Sequence, residues 1–422
     1  MGEGVIAARV IVDDAAARAF VSGFDLRHLP EGFTADPFPY YAALRRLDPV
    51  HRLPDGGVFL TRYEDCAAVY RDPARFLSDK KPEFAPKYGI GTPLFRHHTT
   101  SLVFNDPPLH TRVRKLLAPA FTPRALDLLQ PRFEAMVERL LDRAAEAGGM
   151  DVISDFAAAL PVEIIGDMLG IPQEERGPLR DWSLAILGAL EPALTAQAQA
   201  WGNRSVTEFS DYLDRHISAR RALPESRRDG FGSVLDMLLE ETHAGDRLTG
   251  EELVQNCIFL LNAGHETTTN LIGNGIDLLL RFPDQKARLV GEPALMRLAV
   301  EEMLRCESSN QLGNRRATED CLIGGVAIAK GTQITIGIGA ANRDPDQFPD
   351  PDRFDITREP NRHMAFGLGI HACAGMTLAR MEGRIAISRL LARFPDFRAA
   401  GGAVRGGRAR FRGFLSYPIH LA

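Results

Sequence analysis

The chain has 422 residues, 45% of them hydrophobic, enough to bury a large core, and length alone suggests two or three domains. Lys and Arg number 50 against 55 Asp and Glu, and the net charge of -5 exerts no global pull on nucleic acid or an acidic membrane, which leaves small-molecule chemistry as the default. Five cysteines (Cys66, Cys257, Cys306, Cys321, Cys373) are few, scattered and odd in number, which argues against a disulfide framework and a zinc cluster, so any special cysteine must act alone.

The opening Met1-Gly2-Glu3-Gly4 has no basic segment followed by an apolar one, and no window reaches the length of a membrane span, so a cytoplasmic protein is expected. A helical pattern from Asp36 to Asp48 leads into Val50 to Thr61, where Pro54-Asp55-Gly56-Gly57 predicts a hairpin turn between short strands. After a helix at about Tyr63 to Arg71, the stretch Leu77 to Thr100 is rich in Pro and Gly and weakly periodic, and reads as a long loop, functional or mobile. From Pro107 to about Arg281 nearly everything reads as helix: Pro107 to Ala118, Ala125 to Ala147, Phe156 to Leu169, a block through Arg221, and a long final segment. Breaks fall at Gly148-Gly149, at Gly170 to Pro172 and at Pro224 to Gly232. The final segment opens on Thr249-Gly250-Glu251-Glu252, a capping-box pattern, and ends before Phe282-Pro283; about 33 residues make about 50 Å of helix, enough to cross the whole molecule. Beyond it come a helix at about Pro293 to Cys306, short strands from Leu322 to Ile338, a proline-rich irregular stretch, and a last helix from about Ala374 to Arg393. The Gly/Arg run from Gly401 to Arg412 lacks the aromatic platforms of an RNA-binding segment and reads as a solvated hairpin loop. There is no internal repeat, and the fold class is mainly α with small β-sheets.

Chemistry concentrates in Phe366-Gly367-Leu368-Gly369-Ile370-His371-Ala372-Cys373-Ala374-Gly375, followed at once by an amphipathic helix. A metal-binding thiolate needs its charge stabilised, and the free amides and positive dipole end of a helix N-terminus supply that. Glycines at 367, 369 and 375 let backbone approach the sulfur and a flat macrocycle. A lone cysteine is most often a small buried hydrophobe, but three glycines, a flanking His and a helix start make that reading a poor one for Cys373.

Here the sequence resembles the cytochrome P-450 family, whose haem-binding signature Phe-Gly-x-Gly-x-His-x-Cys-x-Gly is matched at every fixed position. The resemblance runs from about residue 36 to the C-terminus, so residues 1–35 are expected to be an N-terminal extension and 36–422 a single haem domain of the cytochrome P-450 fold. It implies haem b, with Cys373 as the iron ligand and Phe366 and Gly375 at the cofactor. Four further motifs carry the resemblance. Glu302-Met303-Leu304-Arg305 puts carboxylate and guanidinium on one helix face, a pairing routine on helix surfaces; in the family it locks onto an Arg matching Arg353 of Pro351-Asp352-Arg353-Phe354. Ala263-Gly264-His265-Glu266-Thr267-Thr268 lies midway along the long helix, where small Ala263 and Gly264 allow a flat cofactor to approach; the family uses residues matching Glu266 and Thr267 to deliver protons to dioxygen. In the family, residues matching His110, Arg114, Arg315 and His371 neutralise the haem propionates through charge-assisted hydrogen bonds. Arg112, Lys115 and Arg316 are expected to be solvated or partner-facing. Where many relatives carry a proline after the Glu302 helix, this chain has Ser309.

The resemblance implies a monooxygenase that places one oxygen atom of dioxygen into a small organic substrate, a monomer fed by a separate ferredoxin and its reductase, with neither nucleic acid nor membrane as partner. A small acidic electron carrier is expected on the cysteine side, against Arg112, Lys115 and Arg380. The rivals are a peroxide-fed haem-thiolate enzyme, a nitric oxide reductase, and a haem gas sensor; Glu266 and Thr267 weigh against the peroxide user and the sensor, neither of which needs proton delivery to dioxygen. Substrate is expected to meet the loop before the His110 helix, the middle of the long helix, the segment after the Glu302 helix and the hairpin near Phe414. Arg96, His97 and His98 read as a solvated loop tip, with an acidic substrate as the alternative.

Overall fold

The computed structural model describes residues 14–223, 234–240 and 247–421. The expected break at Pro224 to Gly232 lies outside the described residues. Helices dominate, and the Gly250–Arg281 helix is their axis. Its start is the capping box read from sequence: Thr249 Oγ1 accepts from the Glu252 amide at 3.1 Å, and the Glu252 carboxylate accepts from the Thr249 amide at 2.9 Å. Of its 32 residues, most along the middle are buried, because helices Ala159–Leu169, Leu179–Gly188, Ala196–Ala222, Met296–Cys306 and Met376–Arg393 all pack on it. The large core built this way includes Phe133, Phe156, Ile165, Phe209, Leu261, Ile272, Met303 and Ile387.

A five-stranded sheet flanks the helices, in the order Val50–Arg52, Val58–Leu60, Gln333–Gly337, Leu312–Ala317, Phe76–Leu77. Val58–Leu60 and Gln333–Gly337 run parallel and the other pairs antiparallel. The first two strands turn at Gly56, whose φ of 85° is glycine territory. Residues ahead of the expected domain start also join the fold: Ala17, Val21, Phe24 and Phe33 are buried with Tyr40, Tyr41 and Phe59.

Three expectations need correction. Leu77 to Thr100 is mostly helix, in two short pieces, Lys81–Tyr88 and Pro93–Thr100. Eight residues show too few periods to register, and Pro82, Pro86 and Pro93 suggest a loop although prolines 82 and 93 sit at helix starts, where the missing N–H costs nothing. Leu312–Ala317 forms a strand that the sequence reading omitted. The Gly/Arg run does contain a hairpin, Val404–Arg405 against Phe414–Ser416, but its arginines are not solvated. Arg405 pairs with Asp277 at 3.2 Å, Arg408 with Glu266 at 2.5 Å and Arg412 with Glu307 at 2.6 Å, while Arg410 holds the carbonyls of Leu190 and Leu312. Among the described residues, no helix is long and apolar enough to cross a membrane.

Candidate active site

The loop carrying Cys373 turns through Gly367 (φ 63°) and Gly369 (φ 72°), then a single turn at Gly369–His371. A side chain at 369 would bring a carbon within 2.3 Å of the Tyr70 carbonyl oxygen, so glycine is required there by close approach as well as by conformation. At 375 the same test meets only an ordinary 3.6 Å contact with Phe121, so nothing in the polypeptide itself demands that glycine. The Cys373 amide donates to the Phe366 carbonyl at 2.9 Å, and the Phe366 ring lies under the Arg380 guanidinium at 4.6 Å. Cys66, Cys257 and Cys306 are buried and Cys321 is half-buried; Cys373 alone is open. Desolvation pushes its thiol up, opposed by the Gly375 amide and by the charges of Arg114 and Arg380.

The thiol loop is held from behind by a buried ionic lock. Glu302 and Arg305 are both fully buried and form a two-pronged pair at 2.8 and 2.8 Å. Arg305 donates onward to the carbonyls of Asn342, Pro351 and Arg353. Here the sequence reading needs a correction: the third side chain is Arg358, with Nε 3.1 Å from Glu302, whereas the Arg353 side chain is 64% exposed and only 3.9 Å from Asp355. The Asp355 amide and Asn361 Nδ2 complete the shell around Glu302 at 3.0 Å each.

A cationic cluster lies nearby. The His110 and His371 rings are 4.1 Å apart, and His371 Nε2 is 3.4 Å from Asp106, which also accepts the Ser78 and Asp79 amides. Both nitrogens of His110, Nδ1 of His371 and Nε of Arg316 are buried without a partner among the described residues. Arg316, expected to be solvated or partner-facing, is half-buried and lies 3.8 Å from Asp79. Burial, then His371 and Arg114, pull His110 down to about 4. Arg315 is 7% exposed, bonds only the Asn314 carbonyl and stacks 4.9 Å over Tyr70, with no described carboxylate in ion-pair range. Buried cationic groups lacking an anion are costly. A dianionic macrocycle with an iron that takes a thiolate answers both features, the open Cys373 and the buried Arg315 beside the unpartnered nitrogens of His110 and His371, so the residues present fit the haem that the resemblance implies.

On the central helix Ala263 is exposed although Asn262, His265 and Glu266 around it are buried. Thr267 Oγ1 donates to the Ala263 carbonyl at 2.7 Å, a back-bond that bends helices slightly. Ser309, the residue in place of the usual proline, donates its hydroxyl to the Thr267 carbonyl at 2.8 Å and so ties the segment after the Glu302 helix to this position. Gly264 is half-buried, and a side chain there would run into Ile165 at 2.9 Å, so its smallness also serves helix packing. Glu266 is 7% exposed, and burial lifts it to about 7 even though Arg408 opposes the shift.

Two surface expectations also change. His97 and His98 are buried on the Pro93–Thr100 helix, His97 between Gln255 at 3.0 Å and Asn262 at 3.3 Å, and burial pulls His97 down to about 4, so neither forms a solvated tip. Arg112 pairs with Glu252, and Arg380 pairs with Glu301 at 2.6 Å, which leaves Lys115 as the exposed member of the expected docking trio. Sequence reasoning missed Arg358, Arg408 and the buried Glu382, which accepts the Thr268 hydroxyl at 3.1 Å and is pushed up to about 8 by burial. No local pattern marks Arg408, whose partner is 142 positions away.

A family model described as Cytochrome P450 matches residues 186–397. The chain is 39% identical over 372 residues to the biotin biosynthesis cytochrome P450 of Bacillus subtilis (strain 168), covering 87% of this chain and 91% of the relative. It is 41% identical over 377 residues to the vitamin D(3) 25-hydroxylase of Pseudonocardia autotrophica, covering 88% and 89%. In fold it is similar to P450BioI solved in complex with hexadec-9Z-enoic acid ligated acyl carrier protein, with a TM-score of 0.86 at 37% identity over 92% of this chain and 100% of that one. The chain therefore belongs to the cytochrome P450 family and is a haem-dependent monooxygenase of small organic substrates that draws its electrons from redox partners.

Proposed function

We propose that Cys373 would supply the thiolate ligand to haem b, which the thiol loop and the Ala263 segment of the central helix would hold, with residues 36–422 acting as one haem domain and residues 14–35 packed onto it. The observation that carries this is the open Cys373 thiol at the start of the Met376–Arg393 helix, together with a buried Arg315 that has no carboxylate partner among the described residues and the unpartnered ring nitrogens of His110 and His371. Arg114, Arg315, His110 and His371 would hold the two propionates, and Phe366, Ala263 and Gly375 would border the macrocycle. Glu302, Arg305 and Arg358 hold the thiol loop in register.

Haem with a thiolate ligand supplies the activation of dioxygen, the thiolate donating electron density that favours O–O cleavage. The chain's own residues supply position and protons. Thr267 presents a hydroxyl beside Ala263, and Glu266, poised near neutrality, can give up and regain a proton at working pH. Glu266 is buried and Thr267 half-buried, which limits free water around them and protects reactive species from waste. Electrons come one at a time from a ferredoxin and its reductase, and the protein works as a monomer in the cytoplasm. The test is spectroscopic: the ferrous-carbonyl form of the wild type should show the strongly red-shifted Soret band of thiolate ligation, and Cys373→His should lose it. An unchanged band in the variant would refute the assignment.

A further inference from the structure

The side of the central helix that carries His265, Glu266 and Asn270 encloses a small cavity of about 40 Å³ against Arg180 and Leu184 and against the C-terminal hairpin at Gly406, Arg408 and Phe414. Four buried polar atoms of its wall have no hydrogen-bond partner among the described residues: His265 Nδ1 and Nε2, Glu266 Oε2 and Asn270 Nδ2. These residues are 1%, 7% and 5% exposed. The Ala158 carbonyl faces the His265 ring without closing a hydrogen bond of normal geometry. Leaving such atoms dry costs about 1–3 kcal/mol each. A water needs only about 10–15 Å³ of this kind of space and two to four polar partners, and the cavity offers both. Its rim reaches the surface, where Arg180 and Gly406 are half-buried and Leu415 is 56% exposed.

We propose that this cavity is the solvent entrance of the proton path, in which His265 orders the water that reprotonates Glu266 and Arg408 is a positioning residue that turns one carboxyl oxygen toward that water. The inference rests on the reading of Glu266 as proton donor. Arg408 holds Oε1 at 2.5 Å, which leaves Oε2 as the oxygen able to meet the cavity. A proton taken from bulk solvent passes along the enclosed water, each molecule accepting one proton and releasing another. It arrives at Oε2 after Glu266 has given up the proton it carried inward, so one proton moves and no electrons do. Arg180 and Arg408 bring positive charge to the cavity and Glu191 negative charge beside Glu266. His265, pulled down to about 4 by burial and then by Arg180, stays neutral near neutral pH and can both donate and accept.

Infrared spectroscopy of the holoprotein reads this route without a substrate. The carboxylic C=O stretch that vanishes in Glu266→Gln identifies the Glu266 proton, and its shift on transfer to D2O times the exchange. His265→Phe removes both ring nitrogens, and Leu184→Phe fills the cavity from the opposite wall without altering the central helix. Each should slow the exchange about tenfold or more, whereas His265→Gln, still able to bind water, should stay within about threefold of wild type. If Glu266→Gln impairs turnover but both Phe variants, with normal ferrous-carbonyl spectra, exchange as fast as wild type, this inference alone is wrong. If Glu266→Gln forms product per NADH at the wild-type rate and ratio, the donor reading falls and this one falls with it. A Glu266 that stays ionised down to the ordinary glutamate range, about pH 4.5, likewise overturns it.

Discussion

Arg358→Ala should destabilise the protein far more than Arg353→Ala, although sequence alone favours Arg353 as the anchor. Arg358 donates to Glu302 at 3.1 Å and to the carbonyls of Pro349, Asp350 and Arg353 at 2.8, 3.2 and 3.4 Å. A bond to a charged group contributes about 1.5–3 kcal/mol and an ordinary one about 1 kcal/mol. Glu302 Oε1 keeps Arg305 and the Asp355 amide after the change, so the carboxylate is weakened rather than orphaned. The three carbonyl bonds are exposed to water and contribute little, so the expected loss is about 3 kcal/mol, short of what abandoning a buried charge would cost. Arg353→Ala removes an exposed side chain and should cost less than about 0.5 kcal/mol. With an unfolding entropy of about 0.9 kcal/mol per kelvin for this length, the midpoints should fall by about 3 °C and by less than about 1 °C. Thermal ramps of the holoprotein, followed in parallel by tryptophan fluorescence and by the thiolate-ligated Soret band, measure both. Equal shifts for the two variants, or a larger one for Arg353→Ala, would mean that the lock is not built as described.

Thr267→Ala should keep NADH consumption but divert electrons from product to hydrogen peroxide; full coupling, with product, peroxide and NADH measured together, would remove Thr267 from the proton path. Ser309→Ala deletes the bond to the Thr267 carbonyl and should show a weaker version of the same uncoupling, with a stability loss of about 1 kcal/mol. Burial would raise Glu307, but Arg412, Arg405, Arg343 and Arg281 hold it down at about 2. Its folded value lies below its unfolded value, so its contribution is complete above about pH 4.5 and lost as pH falls toward 2, about 3 kcal/mol in all. Urea midpoints against pH should show that acid limb flattened in Glu307→Gln, and an unchanged limb would refute the assignment.

What the sequence revealed was whatever is local or carried by a dense pattern. Thr249 and Glu252 sit three residues apart and satisfy each other's backbone, so the start of the central helix was legible. Gly367 and Gly369 ahead of Cys373 were legible because their positive φ, and at 369 the close approach of Tyr70, leave few other choices. Arg353 and Arg358 each close a turn of their own, and only the packed chain decides which guanidinium points inward. The arginines of the Gly401 to Arg412 run looked solvated because their partners, Asp277, Glu266 and Glu307, are distant in sequence and lie on other elements. Glu266 was found as an acid beside an alcohol, but the residue that grips it was not.

The five-stranded sheet has a kinetic consequence. Val58 pairs with Ile334 and Phe76 with Ala317, so its strands come from opposite ends of the chain, whereas helices such as Leu179–Gly188 and Ala196–Ala222 pack on their neighbours in the chain. Closing a loop of roughly 275 residues costs about 5 kcal/mol of chain entropy before any strand contact repays it. Local helices therefore assemble first and the sheet closes late. Tyr70 and the Gly369 turn meet only across that closure, so the thiol loop acquires its final shape in the same late step. Substitutions in Val58–Leu60 or Gln333–Gly337 should slow acquisition of the haem-bound state more than they slow the appearance of helix.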